Sequence, residues 1–241
     1  MDHSIYLQES NMLDYTGDDI SNMKEWKYWD TLQGSEKVGA IYDFVRNNIA
    51  FGYNKSDLQP ASEVLKDGYG QCNTKGTLFM ALLRKARIPC RYHGFTINKK
   101  LQRGAIPELF YPIAPQDIVH SWVEVFIDGK WINLEGFILD DAYLNSVQKM
   151  HSETSGEFSG YGISTTSLQQ PQVNFCGGDT YIQKEGINND FGVFDTPDAF
   201  FQKHEGNEKG LKGWLYSNFL RHFFNRNLHN IRSRNPATSI I

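Results

Sequence analysis

The sequence predicts a chain that mixes helices with antiparallel strands, and two stretches carry that reading. Residues 68–89 form a glycine turn that feeds directly into a helix. Thr77, Leu78, Phe79, Leu82, Leu83 and Ala86 recur there at helical spacing, so one face is expected to be buried. Residues 119–135 read as an antiparallel hairpin, because Asp128-Gly129 separates two alternating apolar runs.

In chain order, residues 1–34 are polar and mixed, with Trp26 and Trp29 as anchors onto the body of the protein. Ser35 is placed to cap a helix whose stripe is Val38, Ile41, Tyr42, Val45 and Ile49. Pro60 and Ser62 open a short helix over residues 63–66, which Asp67-Gly68 closes. The helix that begins at Cys72 ends before Pro89, and residues 90–97 alternate as a strand. Pro107, Pro112 and Pro115 keep residues 98–117 irregular. Residues 151–172, rich in Ser, Gly, Thr and Gln, read as a surface loop that could overhang a cleft. Residues 173–208 show no clear period. Residues 211–232 read as a helix or helix pair with a stripe of Leu220, Phe223, Phe224, Leu228 and Ile231. Without internal repeats or long linkers, residues 1–241 are expected to form one domain.

The hairpin register follows from its turn. A two-residue turn at Asp128-Gly129 pairs Ile127 with Lys130, Phe126 with Trp131, and Val125 with Ile132. Continued, it pairs Glu124 with Asn133, Val123 with Leu134, and Trp122 with Glu135. Val123, Val125, Ile127, Ile132 and Leu134 then share the core face. His120, Trp122, Glu124, Phe126, Trp131, Asn133 and Glu135 share the other. Glu135 lies diagonally from His120 at roughly 7–8 Å between backbones. Glu124, four residues along the strand, is about 13 Å away. Glu135 is therefore the better partner for His120.

The bulk composition excludes several functions. A net charge of −4 gives no overall case for nucleic acid or an anionic membrane. No apolar run is long enough to span a bilayer, and the first residues lack a signal-peptide pattern. Three scattered cysteines do not make a disulfide framework, so a reducing, cytoplasmic setting is expected. Neither zinc spacing nor a phosphate- or dinucleotide-binding glycine pattern occurs, so no metal and no cofactor are expected.

A cysteine in the first turn of a helix, a histidine on a strand and an acid on the partner strand suit nucleophilic acyl transfer. The helix start favours the thiolate of Cys72, His120 shares the thiol proton, and Glu135 orients the ring. The acyl group would pass through a thioester whose oxyanion needs donors. The Cys72 N–H, Gln71, and more weakly Tyr69 and Tyr53 are candidates, with Trp122 beside them as a substrate-binding residue. Asp140 rivals Glu135 for the third place. His93 and Cys90 read as structural, and Cys176-Gly177-Gly178 as a turn.

The motifs fall in a recognisable order: Ala40-Ile41-Tyr42-Asp43-Phe44-Val45, Ser62-Glu63-Val64-Leu65, Gly70-Gln71-Cys72, residues 82–89, and His120-Ser121-Trp122-Val123-Glu124-Val125 through to Glu135. Over residues 36–140 the chain resembles the transglutaminase-like superfamily of cysteine enzymes, and its flanking regions, including the C-terminal 70 residues, resemble bacterial members. The resemblance implies a papain-like α+β fold, with a nucleophile-bearing helix on an antiparallel sheet or barrel and N- and C-terminal extensions packed on that core. It also implies Cys72 as nucleophile, His120 as base and residue 135 as the third member. The family usually has Asp there; this chain has Glu, one methylene longer.

The implied activity is cleavage of a peptide or isopeptide bond in a peptide or protein substrate. Two alternatives stay open: acyl transfer to an amine, and a non-catalytic peptide-binding module on the same fold. The acid-free segment with Lys209, Lys212, Arg221, Arg226, Arg232 and Arg234 could attract an anionic partner. Its apolar stripe favours a docked helix with solvated basic residues outside.

Overall fold

The computed structural model describes residues 3–204, 206 and 215–234. Three helices come first: α1 (Asp18–Ser21), α2 (Trp26–Trp29) and α3 (Gly34–Asn47). Trp26 and Trp29 are buried edge to face with ring centroids 4.9 Å apart, as anchors should be. In α3, Val38, Ile41, Tyr42 and Val45 are buried. The helix begins at Gly34, so the expected cap Ser35 lies within its first turn. Strands β1 (Ala50–Phe51) and β2 (Tyr69–Gly70) pair in parallel across α4 (Ala61–Asp67). Gly68 closes α4 in the left-handed conformation, at φ 68°. Gly70 serves a close approach of the backbone to the next helix. A Cβ there would lie 2.8 Å from Thr74 Oγ1 and 2.9 Å from Lys75 Cγ, so the tight neighbour is the next helix.

That helix, α5 (Cys72–Lys85), corrects the expectation of one buried face: every residue from Cys72 to Arg84 is buried. The sheet covers one side, and α3 and α4 pack on others. Its polar residues stay inside because each meets a backbone group. Lys75 Nζ donates to the carbonyls of Arg46, Ile49 and Ile138 at 3.2, 2.7 and 3.0 Å. Arg84 donates to Gln8 O at 2.6 Å and Cys90 O at 2.9 Å, and also to Asp195 O. The helix ends before Pro89. Arg87 turns left-handed at φ 63°, while the Arg87 and Ile88 N–H groups return to Arg84 O and Leu83 O at 3.0 and 2.9 Å.

Lys75→Met would leave three buried carbonyls without their donor. Urea denaturation is expected to show a loss of about 3–5 kcal/mol; a change below about 1 kcal/mol would mean that the lysine is dispensable.

Next come β3 (Cys90–Asn98), β4 (Asp117–Ile127), β5 (Lys130–Leu134) and helix α6 (Asp141–Met150). The hairpin of β6 (Phe158–Gly160) and β7 (Ile163–Thr165) follows, then β8 (Ile187–Phe194) and α7 (Pro197–Phe201). The main sheet runs β5-β4-β3-β8, all antiparallel, and bears out the α+β class. The register of β4 on β5 is the expected one from Ile127↔Lys130 to Val123↔Leu134. Asp128 and Gly129 both take positive φ, 51° and 80°, as a two-residue hairpin turn needs. Pairing stops at Leu134, and the Glu135 N–H turns to Thr180 O at 3.0 Å instead. The unassigned region supplies β8, the sheet's fourth strand.

A π-helical turn, Tyr216–Leu220, leads into α8 (Arg221–Arg232), where Phe224, Leu228 and Ile231 are buried. Residues 211–214 of the expected helix, with Lys209 and Lys212, lie outside the described residues. Arg232 corrects the picture of solvated basic residues: it pairs with the buried Asp140 at 2.6 Å. Among the described residues, no helix is long and apolar enough to cross a membrane.

Candidate active site

Cys72 opens α5 and is 8% exposed. His120 and Glu135 are fully buried and joined directly, His120 Nε2 to Glu135 Oε1 at 2.7 Å. With Nε2 engaged, Nδ1 is the free ring nitrogen, without a hydrogen-bond partner among the described residues. Burial is the strongest influence on His120 and disfavours its charge. The neighbouring Cys72, then the hydrogen bond and charge of Glu135, outweigh it together and raise the ring from 6.5 to about 9. Cys72 and Glu135 thus both favour the ring's charged form.

The acid has a seat that the sequence did not reveal. Glu135 Oε2 accepts three consecutive backbone N–H groups, from Ile182, Gln183 and Lys184, at 2.7, 2.8 and 3.1 Å. Thr180 fixes the backbone beside it: its hydroxyl accepts the N–H groups of Glu135 and Gly136 at 3.2 and 3.1 Å. Four hydrogen-bond contacts thus stand in for the solvent shell of this buried side chain. The extra methylene of Glu lets one oxygen meet His120 while the other meets this amide cluster.

Asp140, the rival acid, is committed elsewhere. It caps α6 through Tyr143 N at 2.9 Å, accepts Phe51 N at 2.8 Å and pairs with Arg232. Glu124 joins Arg91 and His93, each at 2.6 Å, on the sheet's outer side. Cys90 is fully buried and Cys176 exposed. Burial pushes the Cys90 thiol up to about 11, against the pull of Arg84.

Around Cys72, Asn73 acts as a polar hub. Its Oδ1 accepts from Ser121 Oγ at 2.9 Å and Tyr92 OH at 3.2 Å, with Cys72 Sγ at 3.7 Å. Its Nδ2 donates to Asp57 Oδ1 at 3.0 Å. Gln71 is held from both ends of its amide: Oε1 accepts Asn54 N at 2.8 Å and Nε2 donates to Asp57 Oδ1 at 3.1 Å. Its backbone N–H is engaged by Thr74 Oγ1 at 3.1 Å, so the backbone is not the oxyanion donor. An amide nitrogen carries two hydrogens, which leaves a second Nε2–H on a residue that borders the same cleft as Cys72.

Tyr69 and Trp122 are placed otherwise than expected, since neither borders that cleft. The Tyr69 hydroxyl accepts from Arg221 at 3.2 Å. Trp122 packs on Phe95 at 4.1 Å and Tyr181 at 5.6 Å between centroids, in an aromatic cover on the face that carries His120. Tyr53 does line the cleft, with its hydroxyl donating to Gln102 Oε1 at 2.7 Å.

The cleft in front of Cys72 has a volume of about 520 Å³. Its walls correct the expectation for residues 151–172, which contribute none of its lining. Instead, residues between Ile106 and Val119 form one wall, and Leu215, Tyr216, Leu220 and Phe224 another. The β6–β7 hairpin packs beneath, with Tyr161 N and Gly162 N donating to Arg103 O and Leu101 O.

Residues 27–136 match the family model of the transglutaminase-like superfamily. Among solved structures, the chain is similar to a candidate cysteine protease from Cytophaga hutchinsonii, at 16% identity and a TM-score of 0.47, over 83% of this chain and 50% of that one. It is also similar to a candidate protease from Parabacteroides distasonis, at 16% identity and a TM-score of 0.32, over 55% of this chain and 26% of that one. The chain thus spans half the length of the first and about a quarter of the second. No curated protein matches it.

Proposed function

We propose that this chain, whose residues 27–136 are a transglutaminase-like core, is a cysteine enzyme that cleaves an amide bond in a peptide or protein through an acyl-thioester. One observation supports the reading: His120 joins a buried carboxylate through Nε2 and keeps Nδ1 without a hydrogen-bond partner, as a base for Cys72 would need. In this reading Cys72 attacks the scissile carbonyl carbon as thiolate. The carbonyl becomes an oxyanion against the Cys72 N–H and the Gln71 side chain. As it collapses, the C–N bond breaks and the His120 imidazolium gives its proton to the departing amine. Water then gives a proton to His120 and its oxygen to the acyl carbon, which releases a carboxylic acid and restores the thiolate–imidazolium pair. Glu135 fixes the ring's tautomer and supports its charge. A lysine amine in place of water would give transfer instead of hydrolysis.

A pulse of iodoacetamide at pH 6, read by mass spectrometry, tests the activated thiol. Cys72 is expected to alkylate at least about tenfold faster than Cys176, although Cys176 is the exposed one. Cys90 should stay unlabelled. Equal labelling of Cys72 and Cys176 would refute the reading.

The pH dependence follows from His120. Its folded value, about 9, lies above the unfolded 6.5. The stability it contributes is therefore complete below 6.5 and lost as pH rises through about 9. Activity should share that upper limit: kcat/KM is expected to fall above pH about 9, as the imidazolium that protonates the amine disappears. A profile that turns down near 6.5 instead would mean that the ring is not held between Cys72 and Glu135.

A further inference from the structure

We infer that the acyl donor is a peptide with a bulky apolar side chain beside the scissile carbonyl, seated in the cleft between residues 106–119 and the C-terminal helical segment. The inference rests on the function proposed above and names the substrate that such chemistry would take. Cys72 borders the cleft, so whatever fills it presents its carbonyl to the thiol.

Three features select an apolar occupant. The walls away from Cys72 carry Ile106, Phe110, Ile118, Leu220 and Phe224, from segments far apart in sequence. The polar lining side chains already bind one another: Gln71 holds Asp57, and Gln102 accepts from Tyr53. Among the described lining residues none is Lys, Arg or His, and the one carboxyl group, Asp57, is itself fully buried and accepts from Gln71 and Asn73. A substrate carboxylate would find no cationic partner among those residues, and an ammonium or carboxamide would have to give up water for apolar walls.

The apolar character continues to the surface. Ile113 and Leu215 line the cleft and are 60% and 41% exposed, and Phe223, which touches Phe110 at 6.0 Å, is 55% exposed. Such a rim is costly for a protein to leave in water, and it gives a hydrophobic segment of a longer chain somewhere to lie. The glutamine side chain that an amine-transfer enzyme would need as acyl donor would lay its carboxamide against these apolar walls at the cost of its water. The same surface therefore favours cleavage at apolar residues.

The test uses fluorogenic peptides of equal length that place Leu or Phe, Gln, or Asp at the residue supplying the scissile carbonyl, together with an octanoyl amide. The Leu and Phe peptides are expected to exceed the Gln and Asp peptides by at least about tenfold in kcat/KM, the scale of one well-filled apolar pocket. Ile113→Asp and Leu215→Asp should shrink that ratio. Because both substrates are measured on one preparation, a loss of folded protein cancels. Equal turnover of all peptides, or a preference for Gln, would overturn the inference and leave the cysteine chemistry standing. Preferential turnover of the octanoyl amide would overturn the peptide assignment.

If nothing is turned over, anisotropy of the same labelled peptides on Cys72→Ala decides. Tighter binding of the Leu and Phe peptides keeps the apolar site and refutes the proposed reaction. Equal binding refutes both.

Discussion

Cys72→Ala is expected to lower kcat/KM for amide cleavage by about 10⁴–10⁶-fold while leaving the fold intact. The reason lies in what each group does in the transition state. Without the sulfur there is no covalent intermediate, and the remaining help comes from oxyanion donors and substrate binding. His120→Ala should fall about as far, because the nucleophile is weak without its proton partner. The two act as a unit, so the double variant should be no slower than the worse single one. His120→Ala has a second consequence: it strips Glu135 of one partner in a fully buried site, at a cost of about 3–5 kcal/mol. Cys72→Ala is therefore the cleaner test of chemistry. Undiminished turnover by Cys72→Ala would show that the cysteine is not the nucleophile.

Glu135→Gln should be nearly as damaging, with kcat reduced by about 10³–10⁴-fold. The amide oxygen can still accept from Ile182, Gln183 and Lys184, and the amide N–H₂ then faces His120. His120 Nε2 must become an acceptor, which moves the ring proton to Nδ1, opposite the thiol. The base is then in the wrong tautomer, and no carboxylate supports its positive form. The upper pH limit near 9 should move down with it. Glu135→Asp keeps the charge but shortens the reach, so one carboxylate cannot span both His120 and the three amides. A partial loss of about 10–100-fold is expected, with lowered thermal stability. Full activity in Glu135→Asp would show that the 182–184 seat does not govern the length of this acid. Kinetics on purified variants, with circular dichroism to check folding, would distinguish these results.

Local rules made much of the core legible. The Asp128-Gly129 turn forces positive φ at two successive residues, and side-chain alternation then leaves one register that buries Val123, Val125, Ile132 and Leu134. The same alternation puts His120 and Glu135 within reach of each other, and the two are hydrogen-bonded. The start of α5 was legible for a similar reason: Gly68 must close the preceding helix, and helical periodicity begins directly after it. These features depend on neighbours a few residues apart, where backbone geometry alone limits the choices.

Lys75 and Arg84 look like solvent-facing residues of an amphipathic helix, yet both are fully buried on carbonyls from distant segments. Their long stems reach acceptors that no periodic pattern can anticipate. The amides that seat Glu135 come from a stretch 47–49 residues further along, with no composition signal. The cleft walls were equally hidden: a proline-rich connection and the C-terminal helical segment meet across Cys72, and the Gly- and Ser-rich region does not.

The sequence by itself therefore determined the thiol at the helix start, the hairpin register and the histidine–acid pair, because turn geometry and side-chain period act over short range. Tertiary structure alone decided what supports the acid and what faces the sulfur. Those contacts depend on where long connections return in space, and loop paths leave no period in the chain.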